Sequence, residues 1–165
     1  MASDHSFDIV SKVDLNEVDN AINQALKEIF TRYDFKGTKT KIELDRGKNE
    51  ISVLSDDEYK LKSVIEVLKA RLASRKVPVK ALQYGRVEDA AGGAARQVIT
   101  LQQGIPLEKA KEIVKMIKSA KIKLQGEIQK DQVRVRGKKI DELRSFMDML
   151  KEKDMGINME FVNYR

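Results

Sequence analysis

The sequence has no cysteine and only one histidine, His5, in 165 residues. Disulfides, thiolate nucleophiles and sulfur-ligated metals are therefore excluded, and a single histidine cannot form a multi-histidine metal site. There is no GxxxxGK[ST] phosphate loop, no GxGxxG fingerprint, and no serine or histidine cluster suited to acid, base or nucleophilic chemistry. The sequence predicts a protein that is not an enzyme and carries no metal or other cofactor.

Long apolar runs are also missing, since none approaches the roughly 20 residues that span a bilayer. The first ten residues, MASDHSFDIV, have neither a basic start nor an apolar signal core. We therefore expect a cytoplasmic protein. Hydrophobic residues make up 41% of the chain and charged residues 35%, a mixture typical of a chain with packed cores rather than a disordered one.

The apolar periodicity follows the order strand, helix, strand, strand, helix, strand, and that order then recurs. In the first copy it predicts strands at 6–13, 39–44, 50–54 and 77–83, and helices whose apolar stripes run over 15–30 and 61–72. In the second copy it predicts elements at 97–101, 107–119, 122–128, 132–135, 140–151 and 157–162. The chain is therefore interpreted as a duplication.

A constant offset of 82 residues aligns the two copies in their clearest stretch. It pairs Ile51 with Val133 and Leu61 with Leu143, which preserves both the strand alternation and the helix stripe. Two such βαββαβ units, each an antiparallel sheet with helices on one face, predict an α+β protein of tandem ferredoxin-like folds. The connection 85–95 is rich in glycine and alanine, and it fits either a flexible linker or a long hairpin loop.

Positive charge is concentrated in one part of the chain. The whole chain carries a net charge of +6, whereas the segment 111–139 alone has ten basic and three acidic residues and a net charge of +7. The rest of the chain is close to neutral. A localised excess of this kind predicts an anionic partner for the second copy.

Strand alternation predicts that the cations of the second hairpin share one face. The apolar residues of 122–128 and 132–135 face the core, so the residues between them face the opposite side. That side carries four cations: Lys121, Lys123, Arg134 and Arg136. Like charges on adjacent strands repel each other. A bound phosphate would reduce this repulsion, for which the hairpin itself offers little compensating negative charge.

The start of the last helix is the preferred phosphate site. Lys138 and Lys139 stand where the first copy has Asp56 and Asp57, and Gly137 precedes them. Cations at a helix N-terminus oppose the helix dipole, whereas a phosphate there would be held by both the lysines and the free amide groups. The alternative is that these cations form an ordinary solvated surface.

A second candidate is the segment 33–37, YDFKG, at the end of the first helix. Phe35 beside Lys36 could stack a base and hold its phosphate. The alternative, which base rates favour, is that Tyr33 and Phe35 close the hydrophobic core beneath the helix end.

Several short segments together resemble the YajQ family of bacterial proteins over essentially the whole chain. They are the segments 6–11 (SFDIVS), 33–37 (YDFKG), 103–105 (QGI), 118–123 (KSAKIK) and 161–165 (FVNYR). The resemblance implies tandem ferredoxin-like units that exchange their first strands, so that 7–13 would join the second sheet and 97–101 the first. The domains would then be an outer, basic one, 1–14 plus 104–165, and an inner one, 15–103.

The resemblance also implies the class of ligand. Family members are described as nucleotide-binding, with RNA, purine nucleotides and cyclic di-GMP among their ligands and no agreed enzymatic activity. The predicted function is a non-catalytic nucleotide-binding protein that acts as a sensor or adaptor. The alternative is a protein-interaction module whose basic surface docks an acidic transcription or translation factor.

Overall fold

The structure is a computed structural model that describes residues 4–165. Within that range the chain forms nine strands and four α-helices. In chain order these are β1 (His5–Val10), α1 (Leu15–Thr31), β2 (Lys41–Asp45), β3 (Glu50–Ser55), α2 (Glu58–Ser74), β4 (Leu82–Tyr84), β5 (Glu88–Asp89), β6 (Ala95–Leu101), α3 (Leu107–Ser119), β7 (Leu124–Gln129), β8 (Gln132–Gly137), α4 (Ile140–Glu152) and β9 (Glu160–Val162).

The chain divides into two compact units. One is Val13–Gln102, and the other combines the N-terminal residues through Lys12 with Gln103–Arg165. We call them the central unit and the terminal unit. Each has its own antiparallel sheet and its own buried apolar cluster, so the predicted α+β architecture of two ferredoxin-like units is confirmed.

In the central unit the strand order is β2-β3-β6-β4, and β5 pairs with β6 beside it. Alternation along β3 buries Ile51 and Val53, and Ile51 lies opposite Ile99 of β6. The apolar stripes of α1 and α2 join these strand residues in one core. Aspartates cap both helices: Asp14 accepts a hydrogen bond from the Asn16 amide, and Asp57 accepts one from the Lys60 amide.

In the terminal unit the strand order is β7-β8-β1-β9. β1 pairs with β8 so that Phe7 lies opposite Val135 and Ile9 opposite Val133, and all four side chains are buried. The apolar faces of α3 and α4 complete this core. The two central strands of the sheet, β1 and β8, therefore come from opposite ends of the chain.

The predicted and observed elements differ mainly at strand ends. β4 covers only Leu82–Tyr84 because a 3-10 turn occupies Val79–Ala81, and β7 begins at Leu124 rather than at residue 122. The 85–95 connection is a hairpin loop rather than a linker, since β5 pairs with β6 and the Gly85 amide donates to the Val98 carbonyl at 2.8 Å. Over residues 4–165, no helix has the length and apolar composition needed to cross a membrane.

Candidate anion-binding site

The helices α3 and α4 cover one face of the terminal sheet, and a buried ion pair lies on the opposite face. Asp8 of β1 is opposite Arg134 of β8, and the Arg134 guanidinium donates to both carboxylate oxygens, at 2.8 and 3.3 Å. The Asp8 side chain is 2% exposed and the Arg134 side chain 17%. Asn163 donates a third hydrogen bond to this carboxylate at 2.8 Å.

The pKa values of both partners reflect this contact. The hydrogen bonds from Arg134 hold the pKa of Asp8 below its ordinary value even though burial acts in the opposite direction. The same contact raises the pKa of Arg134. Arg134 lies on the predicted face, but the Asp8 carboxylate already compensates its charge. Its main role is therefore structural, and it is a poorer phosphate ligand than an unpaired cation.

Arg136 lies two residues further along β8 and is less restrained. Its guanidinium is 3.5 Å from the Glu127 carboxylate, and both side chains are about half exposed, at 45% and 55%. An exposed pair at this distance is worth little, because water screens both charges. Arg136 can therefore exchange Glu127 for a ligand at small cost.

The basic residues gather where β7 begins, β8 ends and α4 begins. A cavity of about 460 Å³ is lined there by Lys123, Arg136, Gly137, Lys138 and Lys139, together with Leu124, Gln125, Asp4 and Glu142. We call this cavity the basic cleft. Its four cations outnumber its two carboxylates, and within residues 4–165 none of the three lysines forms an ion pair.

Strand register explains why these residues meet. Leu124 at the start of β7 is paired with Gly137 at the end of β8. Lys123 and Lys138 come directly before and after that pair, so the antiparallel register brings them to the same edge of the sheet. A Cβ atom at Gly137 would stand 2.5 Å from Cδ2 of Leu124 and 3.6 Å from Leu143, so any larger residue there would displace the Leu124 side chain.

The start of α4 differs from the equivalent start of α2. Lys139 is the N-cap residue of α4, and its side chain makes no capping hydrogen bond. At the equivalent position of α2, 82 residues earlier, the Asp57 carboxylate accepts from the Lys60 amide at 2.6 Å. The first amide groups of α4 therefore lack the side-chain acceptor that α2 has, at the wall of the basic cleft.

The remaining predicted residues lie elsewhere. Lys121 is exposed in the turn before β7 and does not line the basic cleft. Lys36 is in the central unit, where its ammonium group is 5.8 Å from the ring centroid of Tyr33. Of the predicted residues, the structure therefore brings together Lys123, Arg136, Lys138 and Lys139.

The prediction of a base contact for Phe35 is wrong. Its ring is 0% exposed in the core of the central unit, and the Arg32 and Lys60 cations lie 5.2 and 5.0 Å from its centroid. The alternative, that both rings close the hydrophobic core, is correct for Phe35 but wrong for Tyr33, which is 87% exposed.

Sequence reasoning missed the role of Asp8. Asp8 lies on the strand face opposite the core residues Phe7 and Ile9, and yet it is itself only 1% exposed. The only signal in the sequence was a carboxylate between the apolar residues Phe7 and Ile9. Among residues 4–165, no group of three or more histidine, aspartate or glutamate side chains is arranged to hold a metal ion.

Residues 5–165 match the family model described as "Nucleotide-binding protein YajQ-like". A relative from Carboxydothermus hydrogenoformans, named "Nucleotide-binding protein", is 54% identical over 165 residues that cover 100% of both chains. Relatives of the same name from Trichlorobacter lovleyi and Geotalea uraniireducens are 56% and 54% identical over 160 residues, which are 97% of this chain and 98% of theirs.

Proposed function

The chain belongs to the YajQ-like family of nucleotide-binding proteins, and we propose that it binds nucleotide phosphates in the basic cleft. In this proposal it is a non-catalytic, cytoplasmic sensor or adaptor. The names of the relatives supply the class of ligand. The observation that carries the proposal is the meeting of Lys123, Arg136, Lys138 and Lys139 around one cavity of about 460 Å³.

The chemistry of this site suits a phosphate group. Lysine ammonium groups act as mobile point charges, and Arg136 adds planar donors once it is released from Glu127. The first amide groups of α4, beside Lys139, offer further donors in the direction favoured by the helix dipole. A phosphate would also relieve the repulsion between the two lysines that flank the Leu124 and Gly137 pair.

The ligands considered are purine nucleotides, cyclic di-GMP and RNA. RNA-recognition sheets stack bases on aromatic residues of their central strands, whereas the face of this sheet opposite α3 and α4 carries Gln132, Arg134 and Arg136 on β8 and Ser6 and Asp8 on β1. This composition favours a small nucleotide, held at one end of the sheet, over an RNA strand laid across it.

Calorimetric titration tests the proposal. The wild type is titrated with ATP, GTP, cyclic di-GMP and a short RNA, each at two salt concentrations. A variant with Lys123, Lys138 and Lys139 all changed to glutamine is compared with a matched control in which Lys111, Lys115 and Lys118 of α3 are changed in the same way. These three lysines are exposed and lie in the same unit outside the basic cleft, so both variants remove three charges.

The expected result is binding of at least one nucleotide that the cleft variant loses and the α3 variant retains. Equal loss in the two variants would show attraction to net charge rather than a site. No binding of any nucleotide or RNA by the wild type would overturn the proposal, and the basic surface would then be tested against an acidic protein partner.

A further inference from the structure

A second cavity lies beside the basic cleft in the terminal unit. Its volume is about 510 Å³, and its apolar wall consists of Phe7, Ile140, Leu143, Met147 and Tyr164. Two of these residues are unusually open to solvent for their size, with Ile140 48% and Tyr164 65% exposed. We call this cavity the apolar slot.

The apolar slot and the basic cleft share a wall. Three pairs of consecutive residues divide between them, with the first member lining the cleft and the second lining the slot: Asp4 and His5, Lys139 and Ile140, and Glu142 and Leu143. Consecutive Cα atoms are about 3.8 Å apart. The two cavities are therefore adjacent at the start of α4.

Tyr164 is directed into the slot by a bulge at the end of β9. Val162 is paired with Asp8, and Arg165 exchanges two backbone hydrogen bonds with Ser6, at 3.0 and 3.3 Å. The interval from Val162 to Arg165 is three residues, whereas the interval from Asp8 to Ser6 is two. The C-terminal segment therefore contains one additional residue, which forms a bulge. Asn163 adopts a φ of 56° there, a conformation that asparagine tolerates better than most residues.

The bulge sends neighbouring side chains to opposite faces of the sheet. Asn163 donates to the Asp8 carboxylate on the face opposite the helices, whereas the Tyr164 hydroxyl donates to Sδ of Met147 on the helix face, at 3.7 Å. The ring is therefore anchored at its hydroxyl while most of its surface stays open. This is the arrangement of a stacking platform rather than of a core residue.

We propose that the apolar slot receives the nucleobase of a nucleotide whose phosphates occupy the basic cleft. The inference rests on the proposed function, and it assigns a binding site to the nucleobase, the part of the ligand that the lysines do not contact. A nucleobase is a flat aromatic ring with polar edges, so its face suits Tyr164 and Ile140. Its edges suit His5 and Arg144, two of the polar residues that also line the slot. Purines, with the larger ring face, should bind more tightly than pyrimidines.

Comparing ligands with and without a base tests this inference. ATP, GTP, UTP, cyclic di-GMP and inorganic tripolyphosphate are titrated into the wild type, Tyr164→Ala and Tyr164→Phe. Tyr59→Ala is the matched control, because Tyr59 is also largely exposed, at 80%, but lies on α2 of the central unit. Thermal unfolding of each variant verifies that it is folded.

We expect the best purine nucleotide to bind at least tenfold more tightly than tripolyphosphate. Stacking on one aromatic side chain accounts for a factor of about ten, so Tyr164→Ala should lose that factor for the nucleotide and leave tripolyphosphate binding unchanged. Tyr164→Phe and Tyr59→Ala should both bind like the wild type. In the wild type, the H8 proton of the bound purine should show a nuclear Overhauser effect to the Tyr164 ring.

Two results would overturn the inference while leaving the proposed function intact: tripolyphosphate binding as tightly as every nucleotide, or Tyr164→Ala weakening both kinds of ligand equally. If neither tripolyphosphate nor any nucleotide binds, both proposals fail together. Should Tyr164→Ala not fold, the Overhauser effect in the wild type decides, since a base bound elsewhere would lie beyond its range.

Discussion

Asp8 and Arg134 are 126 residues apart in the chain and form a bidentate ion pair on adjacent central strands of one sheet. Asn163, from the segment after β9, binds the same carboxylate. One buried carboxylate thus joins three segments of the terminal unit. Because its buried charge is satisfied by these partners, the contact favours the pairing of β1 between β8 and β9.

Replacing Arg134 with methionine should destabilise the terminal unit. The substitution removes the guanidinium from the buried Asp8 carboxylate and leaves the hydrogen bond from Asn163, and removing one member of a buried ion pair costs about 3 kcal/mol or more. Urea unfolding followed by circular dichroism measures the loss. Arg136→Met is the control, because its exposed pair with Glu127 should contribute less than about 1 kcal/mol. Equal losses in the two variants would contradict the structural role of Arg134.

The stability of the terminal unit should fall at acidic pH because of Asp8. Its folded-state pKa lies below the ordinary value of 3.8, chiefly because Arg134 donates hydrogen bonds to the carboxylate. The stabilisation is therefore fully present well above pH 3.8 and is lost as the pH falls through the folded-state pKa. Unfolding measured between pH 7 and pH 2.5 should show a smaller decline in Asp8→Asn, which starts less stable. An equally steep decline in that variant would contradict the assignment.

Replacing Lys139 with aspartate should stabilise the protein and weaken nucleotide binding. The N-cap position of α4 has an extended backbone and no side-chain capping bond, so an aspartate there can accept an amide hydrogen bond as Asp57 does in α2. The expected gain is about 1 kcal/mol in the free energy of unfolding. Lys139→Gln separates the two effects, since it removes the charge from the cleft without adding a carboxylate cap. A stabilised Lys139→Asp that binds as well as the wild type would remove Lys139 from the site.

Gly137→Ala should destabilise the terminal unit and distort the basic cleft. The new Cβ atom would lie 2.5 Å from Cδ2 of Leu124, and forcing an extra methyl into a packed contact costs roughly 1–3 kcal/mol. Gly47→Ala in the turn between β2 and β3 is the matched control, since its Cβ meets nothing closer than Asp45 at 3.5 Å. Thermal unfolding of the two variants should therefore differ, and equal melting temperatures would contradict the close packing at Gly137.

Phe35 and Tyr33 should respond differently to the same truncation. Phe35→Ala removes a ring that is 0% exposed, at a cost of about 3–5 kcal/mol, whereas Tyr33→Ala removes one that is 87% exposed and should change stability by less than about 0.5 kcal/mol. Chemical unfolding measures both values. A neutral Phe35→Ala would return Phe35 to the list of candidate binding residues.

The duplication could be predicted from the sequence in some detail. The offset of 82 residues holds in the structure, where β3 (Glu50–Ser55) is followed at that distance by β8 (Gln132–Gly137), and the N-cap Asp57 by the N-cap Lys139. Apolar periodicity is a local property, and it locates elements whose burial depends on one face. It also placed Lys123 and Arg136 on the side of the hairpin from which the basic cleft is built.

Long-range pairing could not be predicted from periodicity. Nothing in the alternation of β1 indicates that β8 is its neighbour. The pairing of Asp8 with Arg134 could therefore not be predicted, and the charge of Arg134 was counted as uncompensated. The same limitation hid Tyr164, whose direction depends on one extra residue opposite β1. For Phe35 and Tyr33, two residues apart in a short 3-10 turn, no regular period applies, and the sequence could not say which ring is buried.

The place of β1 in the terminal sheet has a consequence for how the chain folds during synthesis. All the strands of the central sheet have been synthesised once Leu101 has emerged from the ribosome, so the central unit can fold at that point. β1, made first, must wait for β8 before it has a neighbour. The terminal unit should therefore finish folding after the central unit, once β8 and β9 have been made.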